Sequence, residues 1–151
     1  MNSTGRRPAL ARVEQNIIKQ DMKKENEVYS LKGGYSPFIY KSKTGLTYCF
    51  PVTSGHVDMT FEFDISELDL DVLKSSDCRF KALYYILFHE AQSTFGTGHP
   101  KPRRYTANEF EDTKNKVLYK SEFDLQLYIK EFSKEKNLAE SYFQMFSNNI
   151  F

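Results

Sequence analysis

Between Val28 and Ile65 the chain breaks into short runs rich in Tyr, Phe, Val and Ile, separated by turn residues. VYSLK is followed by Gly33-Gly34, YSPFIYKS by Lys43-Thr44-Gly45, and LTYCFPVT by Ser54-Gly55-His56. The fourth run has the clearest pattern. Val57, Met59, Phe61, Phe63 and Ile65 alternate with Asp58, Thr60, Glu62 and Asp64, a period of two that sends one face of a strand into a core and the other to water or a partner. Four such runs joined by tight turns predict an antiparallel β-meander of three or four strands. Pro37 and Pro51 cannot donate to a strand ladder, so the strands that hold them are expected to be edges, bulged or short.

After Ile65 the period changes to that of helices. Ser66 with Asp69 three residues on resembles a capping box and predicts a short helix over about Glu67 to Lys74. Ser76 or Asp77 caps the next one, in which Phe80, Leu83, Tyr84, Leu87, Phe88 and Ala91 form a stripe, with Tyr85 and Ile86 apolar outside it. So wide an apolar surface predicts the central buried helix, with Gly96 placed to end it. GTGHPKPRRYT reads as a loop up to Thr106, which with Glu109 forms a second capping box. Ser121 with Asp124 precedes Leu125, Tyr128, Ile129 and Phe132, and Leu138, Tyr142, Phe143 and Phe146 predict a last helix. Phe61, Phe63, Leu83, Leu87 and Tyr128 are expected in one core. Upstream, residues 1–8 read as a flexible tail. Pro8 then suits a first helical turn in which Leu10, Val13 and Ile17 share a face, with Arg12, Lys19, Lys23 and Lys24 on the rest. The prediction is one α+β domain over 9–151, a small sheet packed against several helices.

Composition agrees with a folded chain. Of 151 residues 40% are hydrophobic and 15% aromatic, enough bulk for one core at this size. Lys and Arg number 21 against 20 Asp and Glu, a net charge of +1, so overall charge does not mark a nucleic-acid binder and its distribution must decide. Cys49 and Cys78 have no spacing of a disulfide framework or metal pair and read as free thiols of a reducing compartment. With no secretory leader and no apolar run of membrane-spanning length, the expected location is the cytoplasm.

Candidate chemistry is sparse. His89-Glu90 begins like a zinc-protease helix, but position 93 is Ser where a second His is needed. His56, His89 and His99 are far apart in sequence. Asp58, Glu62 and Asp64 share a strand face that could present oxygens to a divalent cation, yet no Lys follows them as in common nucleases. Neither thiol has a His beside it, and no glycine loop has a phosphate-cradling pattern. The expectation is a protein that is not an enzyme, with no cofactor and no bound metal.

Charge segregation is the strongest functional signal. No Lys or Arg occurs between Lys43 and Lys74, while Asp58, Glu62, Asp64, Glu67, Asp69 and Asp71 all do. Fixed carboxylates on one face attract a basic partner and speed encounter, and on an edge they also discourage strand pairing. The opposite pole is His99 to Arg104, where Pro100 and Pro102 hold Lys101, Arg103 and Arg104 ahead of Tyr105. Arg pairs bidentately with carboxylate or phosphate. Candidate partner-binding residues are therefore Asp58, Glu62, Asp64 and Glu67 on one side and Lys101, Arg103, Arg104 and Tyr105 on the other.

The order of the acidic alternating strand, the ISELDLDVLKSS helix and the DCRFKALYYILFHE helix resembles small bacterial immunity proteins of polymorphic toxin systems, including contact-dependent inhibition, over roughly residues 46 to 130. The resemblance implies a cytoplasmic protein that binds a cognate toxin domain and blocks its active site or substrate access. The basic N-terminal segment departs from the acidic balance of many such inhibitors. The alternative is a small nucleic-acid-binding or regulatory module that uses that basic helix and the 99–105 loop.

Overall fold

A computed structural model describes residues 26–150. The tail at 1–8 and most of the basic helix expected from Pro8 to about Glu27 lie outside the described residues. The strands are β1 (Glu27–Tyr29), β2 (Phe38–Ser42), β3 (Gly45–Ser54) and β4 (Val57–Ile65). The helices are α1 (Glu67–Ser75), α2 (Asp77–Gln92), α3 (Ala107–Leu118), α4 (Glu122–Glu135) and α5 (Tyr142–Ile150). The strands form one antiparallel sheet in the order β1-β2-β3-β4, so the expected α+β architecture and meander are present. No helix of the described residues is long and apolar enough to cross a membrane.

Register explains the meander. Ser54 pairs with Val57 across Gly55-His56, and Gly55 has φ +63° while His56 does not share a positive φ. A glycine at the first of two turn residues is the type II′ hairpin, whose twist suits the flanking strands. Pro51 contradicts its expectation, because β3 is not an edge or a short strand but the ten-residue strand paired on both sides. Pairs next to a two-residue turn exchange hydrogen bonds and the following ones alternate. Pro51 opposite Thr60 is therefore a non-bonded pair, its nitrogen faces β2, and β2 has already ended at Phe38 opposite Cys49. The missing N–H is not needed there. Pro37 immediately precedes the five-residue β2. β1 is shorter than the VYSLK run.

The inner sheet face carries Ile39, Leu46, Tyr48, Phe50, Val52, Phe61, Phe63 and Ile65, all in one hydrophobic cluster or packed against it. Helix α2 lies against β3 and touches each of the other described helices; Phe80, Leu83, Tyr84, Tyr85, Ile86 and Leu87 are fully buried along it. It is the central helix the stripe predicted, and it uses the residues outside the stripe as well because α4 and α5 cover its far side. Tyr84 donates its hydroxyl to the Pro51 carbonyl at 2.7 Å. The Ser133 hydroxyl donates to the Ile129 carbonyl at 2.8 Å, so the Tyr85 hydroxyl donates to Ser133 at 2.7 Å. These two bonds remove the desolvation penalty of two buried phenols. Tyr128 is partly buried against the same cluster.

Caps mark the helix starts. Ser66 with Asp69 and Thr106 with Glu109 are reciprocal capping boxes, and Ser76 and Ser121 accept from the amides of Arg79 and Asp124, each worth about 1 kcal/mol. The end of α2 differs from expectation. The helix stops at Gln92 with Ser93 as its C-cap, four residues before Gly96. Gly96 has φ +118°, and a Cβ there would collide with the Ser54 side chain. Its role is a close approach: Ser54 donates to the Phe95 carbonyl at 2.8 Å, tying the loop after α2 to the end of β3.

Candidate functional site

The acidic strand is an edge. In β4, Asp58, Thr60, Glu62 and Asp64 are exposed, while Phe61 and Ile65 opposite them are buried. Nothing among the described strands pairs with the outer side of β4, so its charges blunt a pairing edge and hold their positions on a rigid support. Glu67, in the first turn of α1, and Asp71, one turn on, continue the exposed acidic surface. Asp58, Asp64, Glu67 and Asp71 make no ion pair among the described residues. Glu62 accepts from the Cys49 thiol at 4.0 Å. Carboxylates two residues apart on one strand face are about 7 Å apart, where two charges in water repel by about 0.6 kcal/mol before screening. The sheet tolerates such a row easily.

Asp69 does not belong to this surface. Although it stands among the acidic residues in sequence, it is 2% exposed. Its Oδ2 accepts from Lys114 Nζ of α3 at 2.7 Å and from the Ser66 amide at 2.9 Å, and Oδ1 accepts the Tyr119 hydroxyl. Burial pushes its carboxyl up, but Lys114, the Ser66 amide and Tyr119 together outweigh that and hold it below the ordinary carboxylate value. The Tyr119 hydroxyl is pushed up to about 12, by burial and then by its bond to Asp69. Lys114, also buried, reaches Glu111 at 2.8 Å. An open recess of about 470 Å³ over this network is lined by Asp64, Ser66, Glu111 and Asn115 among others. Glu111 thereby extends the acidic surface from α3. Its sequence position, 47 residues beyond Asp64, gave no sign of that.

The basic loop and the acidic strand are neighbours rather than separate poles. Arg104 of the loop reaches the Thr60 carbonyl of β4 at 3.5 Å and places its guanidinium 5.3 Å from the centre of the Phe61 ring, a cation–π contact. Arg103 forms a two-pronged pair with Glu109 at 2.6 and 2.9 Å. That bond, with the Thr106 amide and hydroxyl, pulls the Glu109 carboxyl down to about 2. Tyr105 is 2% exposed and donates to Glu90 Oε1 at 2.8 Å, beside the Thr113 hydroxyl, which donates to the same oxygen at 2.6 Å. Its ring is core, so it is not presented to a partner; burial drives its hydroxyl strongly upward. The Lys101 amide donates to His99 Nδ1 at 3.1 Å, which leaves Nε2–H to donate to the Ser93 carbonyl at 3.0 Å. Of the charged loop residues singled out in sequence, Lys101 is the one whose side chain has no ion pair, hydrogen bond or ring contact among the described residues.

The histidines do different things in different places. His56 is in the β3–β4 turn and His99 braces the loop. His89 is buried against Tyr85, Phe88, Tyr142 and Phe146, with Nδ1 2.7 Å from the Tyr85 carbonyl. Burial lowers its pKa. Among the described residues no group of three His, Cys, Asp or Glu side chains is arranged to hold a metal ion. Cys49 is buried and Cys78 exposed, and neither is in a disulfide.

Comparison with protein-family models, with curated proteins and with solved structures gives no match.

Proposed function

We propose that this chain is a protein-binding inhibitor of the immunity type, which neutralises a cognate toxin domain by presenting the acidic surface of β4 and α1 to a basic groove. The observation that carries this reading is the difference in how the two charged regions are engaged. Arg103 and Arg104 are bound within the molecule to Glu109, Thr60 and Phe61, whereas Asp58, Asp64 and Glu67 are exposed and make no ion pair among the described residues. A partner therefore meets Asp58 and Asp64 held on a rigid strand, with no ion pair of theirs among the described residues to displace. Such charges mainly accelerate association and select basic partners. Carboxylates on that row would stand where a nuclease expects phosphates. The same engagement counts against the 99–105 loop as a nucleic-acid clamp, since its guanidiniums would have to leave their internal partners first.

The test is co-expression with candidate toxin domains taken from the genes on either side of this one, scored by cell survival, together with stopped-flow association of any purified pair. Asp58→Lys with Asp64→Lys should slow association by roughly tenfold or more at low salt and abolish protection, with the melting temperature unchanged. Lys101→Ala should leave both as they are. Wild-type protein that neither binds nor protects, or that instead binds nucleic acid with a steep salt dependence, would overturn the reading.

A further inference from the structure

On the side of α4 turned away from α3, a groove of about 860 Å³ runs between α4 and α5. Ile129, Leu138 and Phe143 give it an apolar strip beside Ser133, its α4 rim carries Lys130 and Lys134, and Glu140 lies across from them before α5, so the cationic edge is the one on α4. Both lysines are exposed and neither makes an ion pair among the described residues. A second depression of about 300 Å³ beside Phe123 shares Gln126 with it as a lining residue. Phe123 is 77% exposed, an unusual placement for a phenylalanine that begins a helix whose other face is fully used in the core.

We propose that this groove is a docking site for an amphipathic α-helix with an acidic flank, supplied by another protein. The inference is independent of the acidic surface on β4. Three features select that occupant. From Gln126 to Lys134 the helix advances about 12 Å at 1.5 Å per residue, a little over two turns of a guest helix. A trough between two helices accepts a third by the ridge-and-groove packing that joins helices generally, with apolar anchors at i, i+3, i+4 and i+7. The two rim lysines, one helical turn apart on the same face, call for carboxylates along one edge of the guest. The chain's own N-terminal segment has the wrong charge for this rim, since over residues 1–25 Arg6, Arg7, Arg12, Lys19, Lys23 and Lys24 outnumber Glu14, Asp21 and Glu25.

The experiment uses the full chain, immobilised, and a displayed library of random 16-residue peptides. Clones selected on wild-type protein are counter-selected on Lys130→Glu with Lys134→Glu, a variant expected to melt like wild type because both side chains are exposed and unpaired. The expected survivors bind wild type at least about tenfold more tightly than the variant. They carry apolar residues at helical spacing with Asp or Glu on one flank, lose affinity in salt, and shift the amide NMR signals of α4 and α5. If no selected peptide depends on the two lysines, the proposal fails. It fails equally if the lysine-dependent peptides are basic or extended, or if the shifted signals lie on β4. Asp58→Lys with Asp64→Lys should leave this peptide binding unchanged, which separates its outcome from that of the toxin experiment.

Discussion

Removing the cation from the Asp69 network should cost more than removing the anion. Lys114→Met keeps the length of the side chain and deletes its charge, leaving a carboxylate that is 2% exposed with only the Ser66 amide and the Tyr119 hydroxyl. Breaking a buried pair in this way costs about 3–5 kcal/mol, and the two surviving bonds put the expectation near the lower end, about 3–4 kcal/mol. Asp69→Asn is milder. Lys114 still reaches Glu111 at 2.8 and 2.9 Å, whose side chain is 54% exposed, and the Asn oxygen can still accept from Ser66 or Tyr119, so about 1–2.5 kcal/mol is expected. The double variant buries no unpaired charge and should lose less than the sum, with a coupling of about 1–3 kcal/mol. The chain has no Trp, so urea unfolding is followed by far-UV circular dichroism. Asp69→Asn costing as much as Lys114→Met, or effects that simply add, would refute the account. Linkage supplies a second readout. The Asp69 carboxyl lies below its ordinary value in the folded state, so its contribution is complete above the unfolded value of about 3.9 and is lost as pH falls through the lower folded one. In Lys114→Met the carboxyl rises, and acid unfolding should begin at higher pH.

Leu87 is 0% exposed at the centre of α2, and Leu87→Ala should cost about 2–5 kcal/mol in denaturant melts; a loss below about 0.5 kcal/mol would remove α2 from the centre of the core. The Tyr48 hydroxyl is buried with no hydrogen-bond partner among the described residues, so Tyr48→Phe should be neutral or stabilise by about 1 kcal/mol, and a clear destabilisation would mean that the hydroxyl is satisfied. For His89, burial lowers the folded pKa, so the unfolded chain takes up the proton first and wild-type stability should fall as pH drops below about 6.5 toward the folded value. His89→Leu should lack that slope between pH 7.5 and 5, and equal slopes in the two proteins would sink the argument.

How much of this was legible in the sequence depended on the range of the signal. Strand alternation in Val57–Ile65, the two capping boxes and the stripe of α2 are local patterns, and the structure has each of them. The errors came where a local rule met a distant partner. Gly96 satisfied the rule for a helix end, but its conformation serves the approach of Ser54, which is 42 residues away. Pro51 is in a central strand against expectation, and its nitrogen is tolerated because it points to the β2 side beyond the last paired residue of β2, so the end of β2 rather than a sheet edge provides the gap.

Charge was legible as composition and illegible as surface. Ser66-x-x-Asp69 already implied that the Asp69 carboxylate folds back on the Ser66 amide, so the capping box itself argued for taking Asp69 out of the exposed row. Its cation is 45 residues on, in another helix, at no spacing that sequence alone would flag. The basic loop taught the opposite lesson. Arg103 and Arg104 are adjacent in sequence, yet one turns to the capping glutamate of α3 and the other to the edge of β4. A run of like charges therefore marks a binding surface only after each side chain's internal acceptors have been found. By that criterion Asp58, Asp64 and Glu67 make no ion pair among the described residues, while the guanidiniums of the loop have acceptors on α3 and β4.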